Sequence, residues 1–101
     1  QPRIVCLGLS YKADIDDLRE SPAVEIVRLI AESAREVVAV EPHVAELPEA
    51  LAGSGVELVG LDDALHNADI VVLLTDHREF KTIDRQRLAG KIVFDTRGIW
   101  R

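Results

Sequence analysis

Three runs, Ile4-Val5-Cys6-Leu7, Val37-Val38-Ala39-Val40 and Ile70-Val71-Val72-Leu73-Leu74, are apolar at every position. A strand with one wetted face alternates apolar and polar residues. A strand that never alternates is buried on both faces, and such strands belong to parallel sheets covered by helices on each side. Lys91-Ile92-Val93-Phe94-Asp95 carries the same pattern more briefly, and Val56 to Val59 is a shorter run still.

The intervening segments read as helices and turns. Gly8 closes the first strand, and a polar stretch runs from Ser10 to Ser21. Ser21-Pro22 then starts a helix: Ser is a favoured N-cap, and Pro suits the first helical position, where its missing N–H has no partner to lose. From Ala23 to about Arg35, Glu25, Arg28, Glu32 and Arg35 form one solvated stripe, and Val24, Ile26, Val27, Leu29 and Ile30 fill the rest of the circumference. Pro42 ends the second strand because it cannot donate to a ladder. His43 to Leu51 has room for a short helix, and Gly53-Ser54-Gly55 is a turn. Leu61-Asp62-Asp63-Ala64-Leu65 opens a short helix with acidic residues where the helix dipole favours them. Asp84 to Leu88 reads as a helical turn, and Thr96 to Arg101 as a tail. Right-handed crossovers then give an α/β fold: a Rossmann-like, doubly wound parallel sheet of about five strands with helices on both faces.

At 101 residues the chain is one domain, residues 1–101. With one Trp, one Tyr and two Phe, its core must be built from Val, Ile, Leu and Ala. A net charge of −6 argues against a nucleic-acid backbone as partner. One cysteine excludes an intrachain disulfide framework and a cysteine-based zinc site. No apolar run approaches the ~18 residues of a membrane span, and no signal peptide precedes the first strand. The expectation is a soluble, cytoplasmic domain. The chain begins at Gln1 and contains no Met, so it is expected to be cut from a longer polypeptide.

Open parallel sheets bind ligands at the carboxyl ends of their strands, where the strand order switches. That edge collects Gly8, Ser10, Tyr11, Lys12, Asp16, Asp17, Arg19 and Glu20 after the first strand. It collects Glu41 and His43 after the second, Thr75, Asp76 and His77 after the fourth, and Asp95, Thr96 and Arg97 after the fifth. A dinucleotide site needs G-x-G-x-x-G in a tight first turn. Here one glycine opens a connection of about a dozen residues, so no pyrophosphate cradle is expected. Tyr11-Lys12 offers an aromatic face for a base and an ammonium for a phosphate, or else a half-buried Tyr beside a solvated Lys. Arg97 offers a bidentate fork to phosphate or carboxylate, or else pairs with Asp95. Lys12 and Arg97 share an edge if strands one and five bring their ends together, and two cations there suggest an anionic ligand. Asp14, Asp16 and Asp17 either ligate a divalent cation or stay solvated and pair with Arg19; no metal is expected. His43, His66 and His77 lack ligand spacing, with His66 on a helix surface and Asp76-His77 a loop pair. Cys6, inside a strand, reads as an inert buried thiol. No nucleophile elbow or triad spacing occurs, so no catalytic residue is assigned.

Gly8-Leu9-Ser10-Tyr11-Lys12 followed by Asp16-Asp17-Leu18-Arg19-Glu20-Ser21-Pro22-Ala23 resembles the opening signature of the C-terminal domain of the UDP-glucose/GDP-mannose dehydrogenase family. Glu41-Pro42-His43 resembles that family's acidic-Pro segment, and Asp95-Thr96-Arg97-Gly98-Ile99-Trp100 its closing motif. Thr75-Asp76-His77-Arg78-Glu79-Phe80-Lys81 looks like the D-H-x-x-F-K segment of the members acting on UDP-N-acetylmannosamine, and Ile15-Asp16-Asp17-Leu18 points the same way. The family usually carries Phe at the place of Tyr11, Ala at that of Ser10 and a neutral residue at that of Asp14, whose charge would stand near an anionic ligand.

The resemblance implies an NAD-dependent double oxidation of a sugar C6 alcohol to a carboxylate through a catalytic cysteine. NAD would be bound by an N-terminal domain. A central helical region would carry the cysteine and the contact of a homodimer. By position, Tyr11, Lys12 and Arg97 would contact the UDP-sugar, and Arg19 would reach across a cleft toward NAD. Cys6 is not that cysteine, so the chain alone is expected to oxidise nothing. Three other readings stay open: the corresponding domain of a UDP-glucose 6-dehydrogenase, a free-standing nucleotide-binding module, and a phosphoacceptor receiver domain. The last needs an acceptor Asp after strand three, where Val59 leads instead to Gly60-Leu61.

Overall fold

The computed structural model describes residues 2–100. Five strands, β1 (Arg3–Leu7), β2 (Glu36–Val40), β3 (Glu57–Leu58), β4 (Ile70–Leu73) and β5 (Ile92–Asp95), form one sheet in the order β3-β2-β1-β4-β5. Every pairing is parallel, as strands without alternation require. The helices are α1 (Pro22–Ser33), α2 (Leu61–His66) and α3 (Arg78–Lys81), with single 3₁₀ turns at Glu49–Leu51 and Arg85–Leu88. The chain winds outward from β1 to β3, then returns to β4 on the other side of β1. A receiver domain has its first strand between the second and third; here β1 lies between β2 and β4, which excludes that reading.

Successive strand residues point to opposite faces. Val5, Leu7, Val38, Val40, Val71 and Leu73 face one side, where Ala64, Leu65, Phe80, Ile83 and Leu88 cover them. Cys6, Val37 and Ala39 face the other, under Val24 and Val27 of α1 and Leu51. Each large side chain taken fully out of water contributes roughly 1.5–3 kcal/mol. Arg28 bridges Glu25 and Glu32, so the polar stripe read on α1 is a closed ion-pair ladder. Among the described residues no helix is long and apolar enough to cross a membrane.

Several local expectations change. Ser21 occupies the N-cap position ahead of Pro22, but its side chain makes no capping bond and lies buried without a partner among the described residues. His43 to Leu51 holds only the 3₁₀ turn. β4 stops at Leu73, because the N–H groups of Leu74 and Thr75 both turn to the carbonyl of Leu7. α3 begins directly after His77, where a loop was expected. The C-terminal residues are anchored: Trp100 is buried, and its Nε1 donates to the carbonyl of Phe80 at 2.9 Å. Arg101 lies outside the described residues.

Candidate functional site at the carboxyl edge of the sheet

The strand order reverses between β1 and β4, so their carboxyl ends frame the crevice where an open α/β sheet receives a ligand. Gly8 turns the chain out of β1 with φ +101. A Cβ at this position would come within 2.4 Å of Thr75 Cβ. The bare glycine therefore serves the approach of the β1 and β4 loops to one another. Thr75 Oγ1 completes the junction by donating to the carbonyl of Ser10 at 3.1 Å.

Beside that junction lies a buried polar knot. Glu41 follows β2, and its Oε1 accepts from the N–H groups of Leu9 (2.8 Å) and Ser10 (3.0 Å) and from His77 Nε2 (2.8 Å). Its Oε2 accepts from the N–H of His43 at 3.1 Å. Burial is the largest influence on Glu41 and opposes its charge. The His77 bond and the backbone N–H groups together outweigh it, and the carboxyl titrates below its usual range. His77 Nδ1 accepts from the N–H of Asp14 at 2.8 Å. A backbone N–H can only donate, so Nδ1 carries no proton and Nε2 does. Ser10 Oγ lies 3.1 Å from the same Nε2 and donates to the carbonyl of Lys12 at 2.6 Å.

Asp14 sits at φ 61 and turns its carboxylate onto the first N–H of α3, at Arg78, 2.7 Å away. That bond holds its pKa below the ordinary value. Its charge therefore serves the start of a helix, and the carboxylate stays ionised beside the expected anion site. The sequence missed Glu41, His77 and Asp14 as a unit. The available signal was a Glu directly after a wholly apolar strand, where a buried carboxylate must find several donors.

The residues singled out for binding stand on this frame. Tyr11 and Lys12 are exposed on the β1–α1 connection, which the N–H of Tyr11 closes by donating to the carbonyl of Asp17 at 2.8 Å. Among the described residues Lys12 has no ion-pair partner. Arg19 forks onto Asp17, Nε to Oδ1 at 3.1 Å and Nη2 to Oδ2 at 3.2 Å, the pairing read for this loop. Tyr11, Asp17, Arg19 and Glu20 line one open groove of about 430 Å³. A groove of about 510 Å³ along α2, lined by Asp62, His66 and Lys91 among others, holds none of the strand-end residues.

The fifth strand ends in a folded motif. Asp95 accepts from the N–H groups of Arg97, Gly98 and Trp100. Thr96 Oγ1 ties the turn to β4 through the carbonyl of Leu73 at 2.6 Å. The Arg97 guanidinium, half-exposed, meets Asp76 at 3.3 Å, not the side chain of Asp95. β1 and β5 are not neighbours, since β4 lies between them. Lys12 and Arg97 thus share the carboxyl edge without a shared strand pair.

Asp14, His43, His77 and Glu79 each bring one donor atom within 4.8 Å of the others. This corrects the view of His43 and His77 as scattered, since their rings lie 4.6 Å apart. His77 Nδ1 and Asp14 Oδ1 are engaged by backbone N–H groups, whereas His43 Nε2 and Glu79 Oε1, 3.6 Å apart, are buried without a hydrogen-bond partner among the described residues. The residues present do not fit a dinucleotide: Gly8, the glycine of the first turn, is closed by Thr75, and α1 begins only at Pro22. Cys6 is buried in β1, and burial pushes its thiol up to about 12.

A family model for the UDP-binding domain of the UDP-glucose/GDP-mannose dehydrogenase family matches residues 5–101. The chain is 54% identical to an NDP-N-acetyl-D-galactosaminuronic acid dehydrogenase of Ralstonia solanacearum, over 99% of this chain and 23% of that protein. It is 48% identical to a UDP-N-acetyl-D-mannosamine dehydrogenase of Yersinia pestis, over 98% of this chain and 24% of that protein. The structure of a UDP-D-ManNAc dehydrogenase from Pyrococcus horikoshii matches with a TM-score of 0.80 at 32% identity, covering 100% of this chain and 23% of the other. The chain spans about a quarter of the length of the curated relatives it matches.

Proposed function

Because this chain belongs to the UDP-glucose/GDP-mannose dehydrogenase family, we propose that it is the nucleotide-binding C-terminal domain of a longer, NAD-dependent UDP-N-acetyl-D-mannosamine 6-dehydrogenase. The observation that carries this reading is the position of Tyr11 and Lys12. They stand exposed at the switch point on a loop staked down by Glu41, His77 and Thr75, and Lys12 has no ion-pair partner among the described residues.

Tyr11 stacks on the uracil, and Lys12 meets the diphosphate as a point charge. Arg97 exchanges the half-buried carboxylate of Asp76 for a phosphate or sugar oxygen, one charge-assisted contact for another. Arg19, on the rim, faces the domain that carries NAD. Oxidising a C6 alcohol to a carboxylate removes two hydrides and adds one water, and NAD accepts those hydrides when bound. The covalent step needs a thiolate, which a buried thiol titrating at about 12 cannot supply. The isolated chain is accordingly inactive. The working enzyme is a cytoplasmic homodimer, with N-terminal and central domains on the same polypeptide.

One observation favours a second sugar. The 54% identical relative is named for N-acetylgalactosaminuronic acid. Both readings place a 2-acetamido sugar on the nucleotide, and they differ in configuration at C2 and C4 of the ring.

Calorimetric titration of the chain with UDP tests the reading. Saturable binding that Lys12→Ala weakens about tenfold supports it. No heat with UDP overturns the nucleotide assignment. NADH formed by the chain alone from UDP-N-acetylmannosamine and NAD overturns the proposed division of labour. The frequencies with which UDP-N-acetylmannosamine, UDP-N-acetylgalactosamine and UDP-glucose are turned over by the longer polypeptide decide the sugar. A reading frame confined to these 101 residues leaves a free-standing binding module.

A further inference from the structure

Among the described residues, one face of the β4–β5 side of the sheet has no second layer. α1 and the Glu49–Leu51 turn cover β1, β2 and β3 on one face, while α2 and α3 pack on the other. On α1's face β4 and β5 lie open: Ile92 is 58% exposed and Phe94 55%, with Ile70 and Val72 half-buried beside them. These four share a face, since Val71, Leu73 and Val93 pack into the opposite core. The parallel register sets Ile70 beside Ile92 and Val72 beside Phe94.

α1 extends the patch. Ile26 is 40% exposed and Leu29 51%, and they lie three residues apart on one stripe. A right-handed β1–α1–β2 crossover leaves the other flank of α1 toward β4, and the hand of the helix turns Ile26 to that flank, with Leu29 beyond it on the outer surface. Ile70, Val72, Ile92 and Phe94, with Ile26 on the flank of α1 beside them, make a shallow apolar trough open at the β5 edge. Parallel sheets are covered on both faces, so a bare apolar face marks a site of packing.

We propose that this trough seats an amphipathic helix from the remaining length of the same polypeptide, laid beside α1 over β4 and β5. The proposal rests on the reading of the chain as one domain of a longer dehydrogenase. Three considerations select this occupant. The relatives carry about three-quarters of their length outside the matched region. Two strands about 4.8 Å apart present the width of one helix of about 10 Å diameter. The patch exposes on the order of a few hundred Å², below the roughly 800 Å² per partner of a stable complex between separate chains. A helix tethered in the same polypeptide needs less area, because its effective concentration is millimolar.

The test places a photoreactive phenylalanine analogue at position 94 of the longer polypeptide. The expected result is an intramolecular crosslink to a peptide outside residues 1–101. Backbone N–H groups of β5 should also exchange about tenfold more slowly there than in the 101-residue chain. Phe94→Ser should restore fast exchange in the longer polypeptide while leaving the urea midpoint of the 101-residue chain unchanged, since that side chain is already exposed. Crosslinks between two copies would assign the trough to self-association and overturn the proposal. Equal exchange in both contexts would overturn it as well. A reading frame that adds no further domain defeats the parent reading itself, a result distinct from a longer protein whose β5 stays bare.

Discussion

His77 and Glu41 lie 2.8 Å apart with both side chains wholly buried, and they form a neutral imidazole on a carboxylate ion. The N–H of Asp14 occupies Nδ1, so a proton there would break that bond. Through this pair the loops after β1, β2 and β4 are joined at one point, directly beneath Ser10, Tyr11 and Lys12.

Removing His77 should therefore cost more than its packing. In His77→Ala, Glu41 loses a donor in a buried site, and the N–H of Asp14 loses its acceptor in a partly buried one. The expected destabilisation is about 3 kcal/mol or more, read from urea unfolding. A change under about 1 kcal/mol would mean that water replaces the ring at no cost, and the frame for the binding loop would have to be sought elsewhere.

Glu41 should also set the acid limb of stability. Its folded pKa is depressed, so between the folded and unfolded values the unfolded chain binds more protons, and stability rises with pH there. The contribution is complete above the unfolded value, near 4.3, and disappears as pH falls through the folded one. Melting temperature measured from pH 6 to pH 3 should fall in the wild type. In Glu41→Gln it should start lower and fall less steeply. Parallel curves would show that other carboxylates carry the effect.

The strands were readable because runs such as Val37 to Val40 have no wet alternate, and only a parallel sheet hides both faces. The connections were less readable because their structure is held by distant partners. Asp14 starts α3 from 64 residues away in the chain, so nothing near Arg78 announces that helix. Trp100 resembled a tail residue because its acceptor, the carbonyl of Phe80, is a tertiary neighbour. Ile26 fitted the apolar circumference of α1, and only the sheet order shows that its flank meets no covering element among the described residues.

Gly8→Ala should be among the most damaging single changes in the chain. The new Cβ would fall 2.4 Å from Thr75 Cβ, in a backbone conformation of φ +101. Left-handed strain and overpacking each contribute about 1–3 kcal/mol. The variant should lose roughly 3 kcal/mol or more in urea unfolding. Gly8→Ala paired with Thr75→Gly should recover part of that loss by removing the side-chain clash, while the 2.8 Å approach to the backbone nitrogen of residue 75 and the strain remain. A pair no better than the single variant would locate the whole cost in the backbone.

Lys12 and Arg97 should differ in how they bind. Lys12 has no ion-pair partner among the described residues and should act directly: Lys12→Ala should weaken UDP about tenfold and leave stability unchanged. Arg97 must leave Asp76 to bind, a half-exposed pair at 3.3 Å worth at most about 1 kcal/mol. Asp76→Asn should therefore tighten UDP by up to about fivefold, and Arg97→Ala should abolish that gain. Titrations of the three single variants and of the Asp76→Asn/Arg97→Ala pair at two salt concentrations separate these cases. If Asp76→Asn weakens UDP, the carboxylate is orienting the guanidinium for the ligand and not competing with it.

Cys6 gives a direct reading of whether the central strand opens. It is fully buried in β1, between β2 and β4, and burial pushes its thiol up to about 12. At pH 8 the thiolate fraction is then about one in ten thousand, and the reagent has no path to it. Ellman's reagent should find no thiol in the native chain and one per chain in urea. Because β1 holds both halves of the sheet together, its exposure requires β2 or β4 to leave. The native rate should therefore follow the global unfolding equilibrium and rise in step with urea. Labelling that is fast and independent of urea would mean that β1 detaches locally. The loop bearing Tyr11 and Lys12 would then be mobile with it, and UDP should suppress the labelling in proportion to its occupancy.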